Sequence, residues 1–354
     1  MQIKTEIQNL RNYNIYLKVE HAVHEFMQKK GYLKLDLPVM SPALIPESYL
    51  EIFETEFNYF NKKEKLYLTP SPELFMKRLL VRGIKDPYYL GKSFRNSEPN
   101  SDFHSPEFTM LEYYRVGFTY LQLADEILEM MKFIAKRCHS GATKGSDRIS
   151  EGSYRSLRSL QDDEIIYQGK KISFDRWEKF TVSEAFKKFA GISEEELLNE
   201  ELLKMKAEQK AYKVKGFSYS DIFSQMIAQE IEPKLGKNGH PTILYDYPKE
   251  MSSLAKLSED GKFAKRVEFY MNGVEIGGCC EELNNWREQK KRFEEQEEKR
   301  KAAKLIDHKV DNGFIEALEY GLPDCTGAGI GFERLAMIFA DVEDIDDLKL
   351  INIS

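Results

Sequence analysis

The segment Ser93–Tyr114, SFRNSEPNSDFHSPEFTMLEYY, gathers one arginine, one histidine, four acids and five aromatics into twenty-two residues. Arg95 stands just before a turn-rich stretch, Asn96–Ser101, where a planar guanidinium fork can clamp a phosphate through two hydrogen bonds. Phe108 follows on a segment that alternates like a strand, placing a flat ring where it can stack on a purine. The period of two sets Phe108, Met110, Glu112 and Tyr114 on one face and Glu107, Thr109, Leu111 and Tyr113 on the other. Glu112 on such a face is ordinarily a solvated sheet residue; flanked by Met110 and Tyr114, it needs a cation if it is buried.

Near the C-terminus, GLPDCTGAGIGFERLAMIFA carries small residues at Gly327, Ala328, Gly329 and Gly331, which let backbone approach a ligand before a helix begins near Glu333. Alone, this pattern also fits tight packing of a helix on a sheet. Arg334, one residue inside the helix, supplies a guanidinium that can lie over a purine ring, so two arginines and an aromatic bracket one nucleotide. Glu268, Glu275 and Glu282 recur every seven residues within VEFYMNGVEIGGCCEEL. Carboxylates gathered by a hairpin near triphosphate oxygens are what Mg²⁺ requires, and exposed strand acids are the other reading of the same residues.

The elements that must position these groups follow from periodicity. Apolar residues at helical spacing over 14–30 end at Gly31, and an alternating stretch broken by Pro38 comes next. A short strand at Leu66–Leu68 precedes a helix capped by Ser71, with Pro72 first, Glu73 in the opening turn and Gly83 at its end. Residues 119–137 read as a helix, 138–172 as an insertion or mobile loop without apolar period, and 178–233 as charged helix, with SEEELLNEELLKMKAEQKA a solvated surface helix. Strand-like PTILYDYP and KRVEFYMNGVEIGG follow, then the charged helix NWREQKKRFEEQEEKRKAAK. Helices alternating with hairpins predict an α+β fold with a mostly antiparallel sheet.

Composition sets the outer limits. With 354 residues, 42% hydrophobic, the chain can bury a sizeable core, and a net charge of −7 offers no global basic field for nucleic acid. Lys144, Arg148, Arg155 and Arg158 form a local basic strip inside the insertion. The charged, amphipathic start lacks the apolar core of a signal peptide, and no run is long enough to span a bilayer, so the expected location is the cytoplasm without a membrane. Four cysteines without a C-x-x-C pair and six histidines without H-E-x-x-H argue against zinc and structural disulfides.

FRN followed by HSPEFTMLEYY, with GAGIGFERLAM near the C-terminus and GYLKLDLPVMSP near the N-terminus, resembles motifs 2, 3 and 1 of the class II aminoacyl-tRNA synthetases. Three ordered motifs are far more specific than one. PELFMKRL, EFTMLEYY and GLPDCTGAGIG resemble the lysyl branch, and motif 1 within the first forty residues leaves no room for an anticodon-binding domain, a plan like that of its elongation factor P lysine ligases. The resemblance implies a single catalytic domain over 1–354, a homodimer, ATP and Mg²⁺. It implies that Arg95, Asn96 and His104 hold phosphates, that Glu98 replaces a motif 2 glutamate from a shifted position, and that Phe108 and Arg334 sandwich adenine over Gly331. Glu268 and Glu275 would carry the metal. Glu73 would face the amino group of lysine or β-lysine, with Glu112, Tyr114 and Glu282 closing on its distal ammonium. Where the family has asparagine and phenylalanine, Gly278 and Cys280 imply a wider, less polar pocket; Gly329 stands where the elongation factor P ligases carry alanine and the tRNA synthetases glycine. The implied activity is adenylation of lysine or β-lysine and transfer to elongation factor P. A tRNA or another acceptor, and a non-catalytic lysine- or ATP-binding regulator, remain alternatives.

Overall fold

The hairpin expected to gather Glu268 and Glu275 is present: Phe263–Met271 pairs antiparallel with Val274–Glu281, and Asn272 (φ 49°) and Gly273 (φ 85°) turn the chain in the left-handed region. Asn-Gly is the pair that tolerates two such residues in succession. The computed structural model describes residues 2–96, 101–140 and 160–353. In chain order the strands that carry the site are β1 (Leu33–Lys34), β2 (Pro87–Phe94), β3 (Glu107–Val116), β4 (Glu178–Thr181), β5 (Thr242–Pro248), β6 (Phe263–Met271), β7 (Val274–Glu281) and β8 (Cys325–Gly331). The helices used below are α1 (Glu73–Val81), α2 (Tyr120–Ser140), α3 (Trp286–Ala302) and α4 (Phe332–Ala340). Strands paired mainly antiparallel and flanked by helices make the α+β fold that the sequence predicts.

The described residues divide into two compact units, each assembled from separated stretches of chain. The first draws on Met1–Phe26, Tyr120–Cys280 and Arg334–Ser354. Its strands run in the order β4-β5-β6-β7, the first pair parallel and the others antiparallel. Phe186, Ile222, Phe223 and Met226 pack with Leu244 and Tyr270 in a core cluster against this sheet.

Two register slips decide what this sheet presents. On β5 the pairing passes from Tyr245↔Val267 to Tyr247↔Ala264, with Asp246 between them at φ 60°. Asp246 alone on β5 stands against Lys265 and Arg266 on β6 at this slip, and Tyr247 emerges with its hydroxyl on Glu268. A second slip, between Phe269 and Tyr270, sets Gly278 opposite Glu268 and Cys280 opposite Arg266. Glu275, Gly278 and Cys280 therefore share the face of Glu268, despite the odd step from 275 to 278.

The second unit comprises Met27–Thr119 and Glu281–Glu333, with strand order β8-β3-β2-β1. Only β1 and β2 run parallel. Strand β3 is buried on both faces from Thr109 to Tyr114, so its alternation sorts two interiors rather than core from solvent. Arg300 near the end of α3 donates to the carbonyls of Glu47, Leu50 and Ile306, pinning the loop that precedes residue 52.

The expected loop at 138–172 resolves into different parts. Residues 138–140 finish α2, and Glu164–Tyr167 pairs with Lys170–Ser173 as a hairpin. The remainder, with Lys144, Arg148, Arg155 and Arg158, lies outside the described residues. The expected single surface helix is two, Glu194–Leu197 and Glu200–Gln209, because Ser193 and Asn199 each cap a new start. Leu197, Leu203 and Ala207 are buried beneath it. No helix among the described residues is long and apolar enough to cross a membrane.

Candidate active site

In the second unit, four ionisable side chains meet, three of them buried and Glu73 half-buried. Glu73 opens α1, where a carboxylate complements the helix dipole, and Lys77 follows one turn later on the same face. The Lys77 ammonium, 1% exposed, is ion-paired to Glu73 and lies 2.5 Å from Glu282 Oε2. Burial pushes this lysine down, but the Glu282 and Glu73 carboxylates outweigh burial and hold it above its ordinary value. Glu112, on β3, accepts from Ser71 Oγ at 2.7 Å and from the Tyr114 hydroxyl at 2.8 Å. Burial first, then the neighbouring Glu73, pushes the Glu112 carboxyl up to about 8. Burial and Glu112 raise Tyr114 well above its ordinary value, so it remains a donor.

Glu73, Glu112 and Glu282 thus gather about the Lys77 ammonium, and at neutral pH the Glu112 carboxyl holds a proton. Such a cluster accepts an ammonium group readily, because ionised Glu112 would then gain a partner. The β8 register brings glycines beside it: Gly327 lies opposite Tyr114 and Gly329 opposite Glu112. A Cβ on Gly327 would sit 2.3 Å from Glu282 Oε1 and 2.5 Å from the Tyr114 ring, so only glycine fits there. At Gly329 nothing lies within 4 Å of that position.

In the same unit, the Arg95 guanidinium lies 5.2 Å from the centre of the Phe108 ring. Asn96, the next residue, is tied down twice: its backbone N–H donates to Glu51 O at 2.9 Å and its amide to Ile52 O at 3.1 Å. His104 faces Ser101, with Nδ1 and Oγ 3.1 Å apart, and their backbones pair in a short bridge. Gly331, opposite Met110, closes β8. Glu98 lies outside the described residues.

In the first unit, Glu268 is held by three donors: the Tyr247 hydroxyl at 2.5 Å, the Tyr270 hydroxyl at 2.7 Å and the Arg266 guanidinium. Arg334 donates to Glu275 twice, at 3.1 Å to its carbonyl and 3.3 Å to its carboxylate. Tyr270 also reaches Glu232 at 3.3 Å. Burial, then Glu268 and Glu275, pushes Glu232 up to about 7. Burial is the main cause, and the carboxylate neighbours add to it; these hard oxygen donors suit Mg²⁺. No cluster of three or more metal-ligating side chains occurs among the described residues; Mg²⁺ commonly takes one or two carboxylates plus phosphate oxygens.

Gly278 has a structural cause. A Cβ there would meet Val267 O at 2.7 Å, so the strand accepts no side chain at its present spacing. Cys280 packs against the core cluster of the first unit.

Several residues of these clusters escape a motif reading. Lys77 looks like any helix lysine, and Tyr247, Tyr270 and Glu232 lie outside the motifs. Ser71 was legible as a cap, and its oxygen does accept the Glu73 N–H at 3.1 Å, but its proton goes to Glu112. Glu333, 4% exposed, receives the Thr109 N–H on both carboxylate oxygens, at 2.9 and 2.8 Å, tying the first turn of α4 to β3. An acid beside Arg334 in the first turn was the available signal.

A family profile for tRNA synthetases class II (D, K and N) matches residues 4–351. The chain is 32% identical over 332 residues to the elongation factor P–(R)-β-lysine ligase of Vibrio cholerae, covering 92% of this chain and 90% of that protein. The ligase of that name from Proteus mirabilis is also 32% identical, over 94% of this chain and 91% of its own length. The lysine–tRNA ligase of Moorella thermoacetica is 32% identical over 94% of this chain but only 63% of its own length.

Proposed function

Since the chain belongs to the class II tRNA synthetases of the D, K and N group, an ATP-dependent amino-acid ligase family, we propose that it activates lysine or β-lysine as an aminoacyl-adenylate and transfers it to a lysine of elongation factor P. The observation that carries this reading is the pair of buried carboxylates Glu112 and Glu282, with half-buried Glu73, gathered around the buried Lys77 ammonium. An apolar amino acid would offer Glu112 no cation, whereas the distal ammonium of a diamino acid supplies one. The relatives named for elongation factor P ligation cover about nine-tenths of both chains, which supports the protein acceptor.

In this reading Glu73 faces the amino group, while Glu112, Tyr114 and Glu282 take the distal ammonium alongside Gly278, Cys280 and Gly329. Arg95, Asn96 and His104 hold phosphates, Phe108 and Arg334 hold adenine at Gly331, and Glu98 belongs to the motif 2 loop. Glu268 and Glu275 hold Mg²⁺, which neutralises phosphate charge when bound. The enzyme acts as a cytoplasmic homodimer. Similarity to lysine–tRNA ligases keeps tRNA as a second acceptor reading.

Pyrophosphate exchange across a panel of α- and β-amino acids tests the first half-reaction. Exchange that requires a second amino group supports the proposal. Exchange with norleucine as fast as with lysine, or none with any diamino acid, contradicts it.

A further inference from the structure

Lys77 is given no contact with substrate in the reading above, yet it is almost fully buried among the carboxylates of the pocket. Its ammonium sits between Glu73 and Glu282, the carboxylates assigned to opposite ends of the substrate, and 5.8 Å from the centre of the Phe314 ring. Interior lysines are costly unless paired, and here both partners belong to the candidate substrate site. Once Glu112 has released its proton to pair with a bound ammonium, three ionised carboxylates stand with the Lys77 ammonium, which leaves a deficit of two positive charges. A substrate with two amino groups supplies two. An amino acid with a neutral side chain supplies one and strands a carboxylate.

We propose that Lys77 is a specificity-determining residue: its ammonium orients Glu73 and Glu282 and cancels one of the pocket's three negative charges, so that the remaining deficit matches a diamino substrate. This rests on the ligase reading. Lys77 acts as a positioning residue, through carboxylates that face the substrate. Without its charge, Glu73 and Glu282 lose the cation that holds them in place, and the pocket loses its reason to reject a neutral side chain. The raised Glu112 carboxyl shows how this interior responds to unbalanced negative charge: it retains protons.

The test compares the lysine-to-norleucine ratio of kcat/KM in pyrophosphate exchange, a ratio independent of how much enzyme is folded. Lys77→Met keeps the volume and removes the charge; the ratio should fall at least ~10-fold, the scale of one lost recognition element. Lys77→Arg retains charge and should hold the ratio within about 3-fold of the parent. Lys77→Ala should regain selectivity with added n-butylammonium and not with n-butanol, which has similar size and no charge. An unchanged ratio in Lys77→Met, or equal rescue by the alcohol, overturns the role and leaves the ligase reading standing. A parent enzyme that exchanges with no diamino acid overturns both.

Discussion

Replacing Glu112 with glutamine keeps the shape of the side chain and removes its charge. Truncating one partner of a buried ion pair costs ~2–4 kcal/mol. Part of this is masked at neutral pH. The Glu112 carboxyl titrates at about 8, so at pH 7 it must release a proton before it can pair with a substrate ammonium. That release costs about 1.4 kcal/mol per pH unit. The net loss at pH 7 is then ~1–3 kcal/mol, or about 5- to 150-fold in discrimination of lysine from norleucine. Because the folded value is raised, selectivity in the parent should climb by up to ~10-fold per unit as pH rises toward 8 and then level off, while Glu112→Gln stays flat. The stability effect has the opposite sense. Between the ordinary 4.5 and about 8 the folded protein keeps a proton that the unfolded chain has lost, so Glu112 lowers stability progressively as pH rises through that window. The glutamine variant should gain more in melting temperature over the parent at pH 8 than at pH 5. Pyrophosphate exchange at pH 6, 7 and 8 and thermal melts supply the data. A pH-independent ratio in the parent, or a variant that rejects norleucine as strongly as the parent does, would refute the reasoning.

Arg95→Ala should slow exchange by at least ~100-fold, as expected for removing one preorganised charge stabiliser, and unchanged activity would dismiss the phosphate clamp. Tyr247→Phe removes one of three donors to Glu268 and should raise the Mg²⁺ concentration for half-maximal exchange by ~10-fold, the lower range for a residue that orients a metal ligand. Identical Mg²⁺ titrations would separate Glu268 from the metal. Glu333→Ala leaves the buried Thr109 N–H without its carboxylate and should cost ~1–3 kcal/mol in urea unfolding; a loss below measurement error would mean that water replaces it.

The parts of the fold legible in sequence are those set by local chemistry. Asn272–Gly273 announces its hairpin, Gly83 follows the end of α1, and the alternation around Glu112 sorts its neighbours correctly. The bulge of β6 opposite Asp246 was not legible, because a one-residue slip depends on both strands; Tyr247 consequently read as a strand tyrosine and not as a donor to Glu268. Lys77 was hidden for a related reason. Its i,i+4 partner Glu73 is visible in PELFMKRL, but Glu282 arrives from two hundred residues away. Gly278, read as a missing amide, is dictated by the closeness of Val267 O. Long-range register and close backbone approach carry no local signature.

The central claim concerns the acceptor, and one experiment addresses it directly. The enzyme is incubated with Mg-ATP and labelled lysine or β-lysine, in parallel with elongation factor P and with total tRNA, and each acceptor is recovered. The account predicts stable label on a lysine of elongation factor P with release of AMP. Label on tRNA and none on the protein would contradict it.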